Sequence, residues 1–281
     1  MISKVFQIIA AIILIVLGKF IVAEELRPEF IGAGCIFFIT FFFTVLEDGI
    51  RNFKRLKLSW QIFILRVQGK KIRFSMSYLY LINVDGQYLL VKNTNFGHYQ
   101  LVGGKYKRLE GTQQFLKNTF NATEDIKLPE KLLMKDDFAL FIPANKAISF
   151  IDWFNKGKDR EINHWREFYE ELIDGKGKLL SKKNFPYINY NFKGRVTTPI
   201  KKSKGWDCYE VLQYDILELL PNIEQMNELK ELKSKGDSDY VKWADHELIQ
   251  NLGYDKRSRE KLYIIGQHTK WAINQKWSRE E

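Results

Sequence analysis

Two long apolar runs fill most of the first fifty residues and constrain the fold more than any other feature. Residues 5–23 read VFQIIAAIILIVLGKFIVA with a single charge at Lys19, and residues 30–46 read FIGAGCIFFITFFFTVL with none. Nineteen helical residues rise about 28 Å, which is close to the thickness of the hydrocarbon core of a bilayer. The runs therefore predict a hairpin of two transmembrane helices at about 5–23 and 30–46. A signal peptide cleaved near Ala23 is the alternative for the first run.

The positive charges after the second run predict which way the hairpin faces. Its connecting loop holds three glutamates and one arginine, whereas eight Lys or Arg follow between residues 51 and 73. No acidic residue interrupts them between Asp48 and Asp85. Because basic loops stay on the cytoplasmic side, we expect both termini to be cytoplasmic.

This reasoning divides the chain into a transmembrane hairpin at 1–50, a basic juxtamembrane connector at 51–72 and a cytoplasmic domain at 73–281. The connector is expected to attract anionic lipid, and residues 58–67 (LSWQIFILRV) predict an amphipathic segment along the membrane surface. Small residues at 32–34 in the second span allow helices to approach closely. We therefore expect a homo-oligomer, because two spans cannot enclose a pore alone.

The cytoplasmic domain is basic, which favours an anionic partner. The chain of 281 residues has a formal charge of +10, and residues 57–281 hold 38 Lys or Arg against 29 Asp or Glu. Two cysteines exclude a disulfide scaffold or a Cys-rich zinc module. A basic loop with one aromatic residue is a candidate ligand-binding segment, formed by Lys201, Lys202, Lys204 and Trp206; a solvated turn is the alternative. A membrane tether disfavours nucleic acid as the partner.

The hydrophobic pattern of this domain predicts a mixed α/β fold. Alternating and aromatic-rich runs predict strands at 73–84, 87–92, 98–102, 137–143 and 207–215, with a hairpin turn at Asp85-Gly86. Helical spacing predicts helices at 161–173, 218–235, 239–251 and 256–276.

One helix carries a pattern with chemical meaning. Residues 166–171 read REFYEE, so that Glu167, Glu170 and Glu171 lie at i, i+3 and i+4 on one helical face. Three carboxylates without matched cations repel one another, but they are favourable ligands for a hard divalent cation such as Mg²⁺. The alternative is a solvated acidic face with Arg166 as a neighbouring partner.

REFYEE resembles the helical half of the Nudix box, Gly-x5-Glu-x7-Arg-Glu-U-x-Glu-Glu-x-Gly-U. The glycine half resembles Gly103-Gly104 at the end of a strand, so the box is split by roughly fifty inserted residues. The resemblance implies that Glu167, Glu170 and Glu171 are metal ligands. It also adds Gly103, Gly104 and Arg166 to the basic loop as candidate ligand-binding residues.

Two spans before such a domain, together with the string DWFNKGKDREINHWREFYEEL at 152–172, look like the SMODS-associated Nudix effectors. That resemblance implies a two-helix transmembrane hairpin followed by a divergent Nudix-like α/β/α domain with a mixed sheet. It implies an inner-membrane effector of a cyclic-oligonucleotide-based antiphage signalling system (CBASS). A cyclic nucleotide made by a cognate nucleotidyltransferase would bind the domain, and the spans would oligomerise and disrupt the bilayer.

The alternative function is a membrane-anchored, Mg²⁺-dependent Nudix hydrolase of a nucleoside diphosphate compound. The effector interpretation requires no cofactor. In the hydrolase interpretation, the carboxylate helix would bind Mg²⁺.

Overall fold

The structure, a computed structural model, describes residues 2–20, 24–51, 53–125, 136–175, 178–203 and 207–278. The chain divides into two compact units, Met1–Gln61 and Ile62–Glu281. The α-helices of the described residues are α1 (Ile2–Phe20), α2 (Arg27–Arg51), α3 (Phe53–Val67), α4 (Thr112–Phe120), α5 (Ala147–Asn155), α6 (Trp165–Phe168), α7 (Ile223–Ser234), α8 (His246–Gln250) and α9 (Gln267–Asn274). The strands in the same ranges are β1 (Lys71–Leu81), β2 (Asn83–Val84), β3 (Gln87–Lys92), β4 (Tyr99–Leu101), β5 (Gly103–Lys105), β6 (Thr123–Glu124), β7 (Ala139–Pro143), β8 (Tyr190–Thr197), β9 (Lys201–Lys202), β10 (Tyr209–Leu219), β11 (Val241–Asp245), β12 (Tyr254–Asp255) and β13 (Glu260–Lys261).

Both apolar runs of the first unit form helices. Among the described residues, one helical stretch is long and apolar enough to cross a membrane, Glu24–Phe43. Ile36, Phe38 and Phe42 on this stretch are more than half exposed, and such an apolar surface suits contact with lipid. A membrane crossing by residues 5–23 stays a prediction, and residues 21–23 lie outside the described ranges.

α1 and α2 pack against each other at Gly34. A Cβ atom added to Gly34 would lie 2.5 Å from Ile15 Cγ1 and 3.1 Å from the Ala11 carbonyl oxygen. At Gly32 an added Cβ would meet no atom within 4 Å. Because Gly34 has no side chain, the two helices of one chain can approach each other closely at this position.

The second unit is built on a mixed sheet with β1 near its centre. The order is β6-β7-β1-β10-β8, with β5 also paired to β1 and β9 to β10. β1 runs parallel to β10 and antiparallel to β7 and β5. Because β1 carries neighbours on both sides, its residues from Ile72 to Leu81 are buried.

A second sheet holds β11, β3 and β2 in that order, with β4 also paired to β3. Asp85 (φ 46°) and Gly86 (φ 82°) both have positive φ, as a tight hairpin turn requires, and they connect β2 to β3. The predicted hairpin at these residues is confirmed. Behind this sheet, Leu101, Ile249 and Trp271 belong to one buried apolar cluster.

Two predicted helices of the C-terminal region are only partly correct. Residues 241–245 of the predicted helix at 239–251 form β11, which pairs with β3, and the helix α8 covers only His246–Gln250. The predicted helix at 256–276 is a β12–β13 hairpin followed by the shorter α9. At 218–235 the first residues extend β10, and α7 begins only after a capping box formed by Asn222 and Gln225.

The predicted helix at 161–173 is shorter and irregular. It begins at Trp165, and after Phe168 it becomes a π-helix over Tyr169–Ile173. The Asp174 N–H donates to the Tyr169 carbonyl oxygen at 2.9 Å, which is the i→i+5 bond of that helix type. The regular i, i+3, i+4 arrangement expected of the three glutamates is therefore lost.

Candidate functional site

The carboxylate helix consists of α6 and the π-helix, residues 165–173. Phe168 and Leu172 are fully buried and anchor it to the domain. Of the three glutamates, Glu170 is exposed, whereas Glu167 and Glu171 are only partly accessible to solvent. π-helical turns recur at functional sites, because the wider turn changes the direction of neighbouring side chains.

The glycine strand β5 lies directly against this helix. The Gly103 N–H donates to Glu171 Oε2 at 2.9 Å, and a Cβ atom on Gly104 would lie 2.2 Å from the Glu167 carboxyl carbon. Gly103 has φ 143°, and its own Cβ would lie 2.1 Å from the Tyr78 carbonyl oxygen. Only glycine fits such an approach. The two halves of the split motif, sixty residues apart, therefore meet in space.

Arg166 is the centre of the carboxylate cluster. Its guanidinium donates to Glu161 Oε1 at 3.0 Å, Glu167 Oε1 at 2.7 Å, Glu170 Oε2 at 3.3 Å and the Lys105 carbonyl oxygen at 2.9 Å. Burial works against its charge, yet the bonds to Glu161 and the nearby Glu167 raise the pKa of Arg166 overall. Three carboxylates thus share one guanidinium, which offsets only part of their negative charge.

The carboxylates do not fit a divalent cation in this arrangement. Glu167 and Glu170 face Arg166, whereas Glu171 faces the Gly103 amide, so the three have no common point. Within the described ranges, no group of three or more His, Cys, Asp or Glu side chains is placed to hold a metal ion. The metal-ligand roles of these glutamates stay a prediction that this geometry does not favour.

The pKa values at the cluster are shifted towards neutral carboxyl groups. Burial raises the pKa of Glu171 to about 8, against the opposing effect of the Gly103 N–H. Burial also raises the pKa of Glu167, although Arg166 lowers it. A carboxyl group at Glu171 that keeps its proton near pH 7 is a poor ligand for a hard cation.

This geometry agrees with comparison to known families. A family model described as SMODS-associated NUDIX domain matches residues 71–273, well over half of the chain. The chain belongs to this family. Membership makes the second unit a Nudix-like domain and associates the protein with antiviral defence. No curated protein matches the chain.

The SMODS-associated NUDIX domain also contains a basic cavity far from the carboxylate helix. Its volume is about 300 Å³, and it is lined by Lys70, Lys71, Thr123, Phe141, Lys202, Asp207, Cys208 and Tyr209. Lys202 was expected at a ligand site, whereas Lys70 and Lys71 were assigned to lipid contact. The predicted ligand residues Lys204 and Trp206 lie outside the described residues.

Lys201, the other predicted ligand residue of the basic loop, has a different environment. Its Nζ donates to Glu210 Oε1 at 2.9 Å, and Glu210 Oε2 accepts from Arg73 at 3.1 Å. Arg73 also donates to the buried Asp125 at 2.6 Å. This alternating row of charges crosses the sheet beside the cavity, and each member is paired with a neighbour of opposite charge.

A larger cavity of about 490 Å³ has the opposite electrostatic character. It is lined by Leu179, Ser181, Asn184, Glu224, Asn227, Glu228, Glu231, Leu232 and Lys235. Three carboxylates in that lining disfavour an anionic ligand.

One polar network in the SMODS-associated NUDIX domain could not be found from the sequence. Tyr106 donates to Asp215 Oδ2 at 2.6 Å, so His164 Nε2–H must donate to the Tyr106 oxygen at 2.8 Å. His164 Nδ1 then accepts from the Tyr190 hydroxyl at 2.9 Å. Burial lowers the pKa of His164 to about 4, although Asp215 opposes this, so the ring is neutral at pH 7. The four residues are distant in sequence and follow no spacing rule.

Proposed function

We propose that this protein is a membrane effector of a bacterial CBASS-type antiphage system. Its Nudix-like domain binds a cyclic nucleotide made by a cognate nucleotidyltransferase. The N-terminal helices then oligomerise and disrupt the inner membrane, which stops growth of the infected cell.

The observation that carries this proposal is the match of residues 71–273 to the SMODS-associated NUDIX domain. A Nudix hydrolase needs metal ions to neutralise the diphosphate and to activate water. Here a guanidinium of the chain itself contacts Glu161, Glu167 and Glu170. These contacts leave Glu167, Glu170 and Glu171 without a common point for a metal ion. Together with the family relationship, this arrangement supports a domain that binds a nucleotide without cleaving it.

The N-terminal unit supports the membrane part of the proposal. α2 exposes a continuous set of large apolar side chains, which is stable only when lipid or another helix covers it. The basic charge of the remaining chain supports an anionic ligand, because positive potential concentrates anions at the surface.

The test uses the full chain reconstituted in nanodiscs. Binding of a panel of cyclic di- and trinucleotides is measured by equilibrium dialysis, with the matching linear oligonucleotides as controls. We expect one cyclic member to bind and to stabilise the domain by about 2.7 kcal/mol at a hundredfold excess over its Kd.

The same preparation is tested for release of products from nucleoside diphosphate compounds with Mg²⁺ or Mn²⁺. Release that Glu170→Gln abolishes would establish the hydrolase instead. Absence of binding by every cyclic nucleotide would remove the effector proposal.

A further inference from the structure

The basic cavity lies where β1 and β10 begin. Lys71 opens β1, Tyr209 opens β10, and Lys202 pairs with Tyr209 across the β9–β10 ladder. Phe141 on β7 forms another part of the wall. Several strands thus supply the lining, so the cavity is held by the sheet itself and not by a single loop.

The cavity carries excess positive charge. Lys70, Lys71 and Lys202 line it, against one carboxylate at Asp207. Within the described parts of the chain, none of these three lysines forms an ion pair, and Lys71 Nζ contacts only Thr123 Oγ1 at 3.4 Å. Unpaired lysines that converge on one cavity repel one another and favour an anion between them.

The neighbouring acids do not offset this charge. Both carboxylate oxygens of Glu210 are used, one by Lys201 and the other by Arg73. Asp125 is fully buried and is also paired with Arg73. Within the described ranges, the buried row of charges therefore provides no counterion for the three cavity lysines, and Asp207 is the one carboxylate in the lining.

Aromatic surface lies beside the charge. Tyr209 is partly exposed at the cavity, whereas Phe141 is buried in its wall. Bases stack on such rings with little regard to their identity. A volume of about 300 Å³ is at the small end of the range for ligand sites. It fits one nucleotide unit of a larger ligand whose remainder stays at the rim.

This cavity and the carboxylate helix lie at opposite ends of β1. Gly103 and Gly104 pair with Leu79 and Tyr78, seven or eight residues from Lys71. At a rise of about 3.3 Å per residue the separation is about 23–26 Å. One cyclic dinucleotide cannot contact both places.

Lys70 connects the cavity to the segment that leads to the membrane helices. It follows α3 by three residues, and its backbone N–H donates to the Leu65 carbonyl oxygen at 2.9 Å. An anion held between Lys70 and Lys202 would fix the residue at which the chain leaves α3.

Resting on the proposed function, we propose that the cyclic nucleotide binds in this basic cavity and not at the carboxylate helix. A phosphodiester is held by Lys70, Lys71 and Lys202, and one base lies against Tyr209. Binding then restrains the end of α3.

The test compares two double charge reversals of the full chain in nanodiscs of zwitterionic phosphatidylcholine. Lys70→Glu/Lys202→Glu should weaken the affinity for the cyclic nucleotide found in the panel by about 100-fold or more. Each tenfold loss of affinity corresponds to about 1.4 kcal/mol of binding free energy. Lys230→Glu/Lys261→Glu changes the net charge equally at exposed positions and should leave affinity within about threefold. Glu167→Gln should also leave binding unchanged.

The outcomes separate this inference from the proposed function. If the wild type binds and Lys70→Glu/Lys202→Glu binds equally well, the cavity is excluded while the effector proposal stands. Loss of binding in Glu167→Gln alone would place the ligand at the carboxylate helix. If the wild type binds no cyclic nucleotide, both fail together.

Two further arms complete the design. Thermal unfolding without nucleotide checks that the double variant folds; if it does not, the milder Lys202→Gln should still weaken binding about tenfold. A phospholipid headgroup is also a phosphodiester, so binding is repeated in discs with anionic phosphatidylglycerol. In both kinds of disc, acetylation of the cavity lysines is measured with and without nucleotide. Protection of these lysines by the nucleotide in phosphatidylcholine discs supports the cavity as its site. If phosphatidylglycerol protects the cavity lysines from acetylation and the nucleotide does not, the cavity binds the lipid headgroup and the assignment to the nucleotide is overturned.

Discussion

Glu171 keeps its proton at neutral pH because the folded domain removes its carboxyl group from water. Burial raises its pKa to about 8, and the negative charges of Glu167 and Glu170 add to the effect. The Gly103 amide binds one of its oxygens at 2.9 Å. A residue that a sequence motif marks as a metal ligand thus acts here as a neutral partner of a backbone amide.

We expect Glu171→Gln to stabilise the chain in a pH-dependent manner. The unfolded carboxyl loses its proton near pH 4.3, whereas the folded one holds it to about pH 8, so the wild-type unfolding free energy falls as the pH rises across this interval. Glutamine still accepts from Gly103 but does not titrate. The variant should exceed the wild type by roughly 2–4 kcal/mol at pH 9 and match it near pH 4.

Denaturant unfolding of the full chain in micelles, followed by tryptophan fluorescence, measures this difference. Exposed Glu260→Gln on β13 is the control and should show the wild-type pH profile. An equal effect of Glu171→Gln at both pH values would contradict the account.

At the scale of single residues, the sequence predicted which side chains meet but not what they do. Gly103, Gly104, Arg166 and the three glutamates do lie together, because the motif specifies a close strand–helix contact. The pairing of Arg166 with Glu167 and Glu170 agrees with the alternative in which Arg166 is a neighbouring partner. The π-helical turn over Tyr169–Ile173 could not be predicted, because residue spacing does not encode it.

At the scale of elements, local signals worked where a turn or a cap decided the structure. The Asp85-Gly86 hairpin is correct because two positive φ angles are required there and these residue types tolerate them. The helix predicted at 239–251 is correct only over α8, because residues 241–245 pair with β3 and such a long-range partner outweighs helix propensity. α4, α5 and β8 had no strong local signal and were missed.

The α1–α2 pair offers a matched test of the membrane helices. Gly34→Leu should push the helices apart, because even a Cβ there would lie 2.5 Å from Ile15, at a cost of about 1–3 kcal/mol for overpacking. Gly32→Leu is the control, since nothing lies within 4 Å of its Cβ. Growth arrest on induction with the signalling nucleotide should be weakened by Gly34→Leu and retained by Gly32→Leu.

Nucleotide affinity should be the same in both glycine variants, because the cavity lies in the other unit. Unchanged toxicity of Gly34→Leu would show that this helix contact is not needed for killing.

At the scale of the whole molecule, the chain joins a lipid-compatible helical unit to a domain of the SMODS-associated NUDIX family. The insertion that splits the glycine strand from the carboxylate helix contributes α4, β6, β7 and α5. Two of these additions, β6 and β7, supply Thr123 and Phe141 to the basic cavity. The insertion that departs from the ordinary Nudix motif therefore contributes part of the wall of the proposed nucleotide site, whereas the three lysines and Tyr209 come from outside it.

Dye release from liposomes that contain the purified full chain tests the central claim most directly. Addition of the cyclic nucleotide identified by the binding panel should release the dye, and its linear counterpart should not. Liposomes that stay sealed at saturating cyclic nucleotide, or that leak equally without it, would contradict a nucleotide-gated membrane effector.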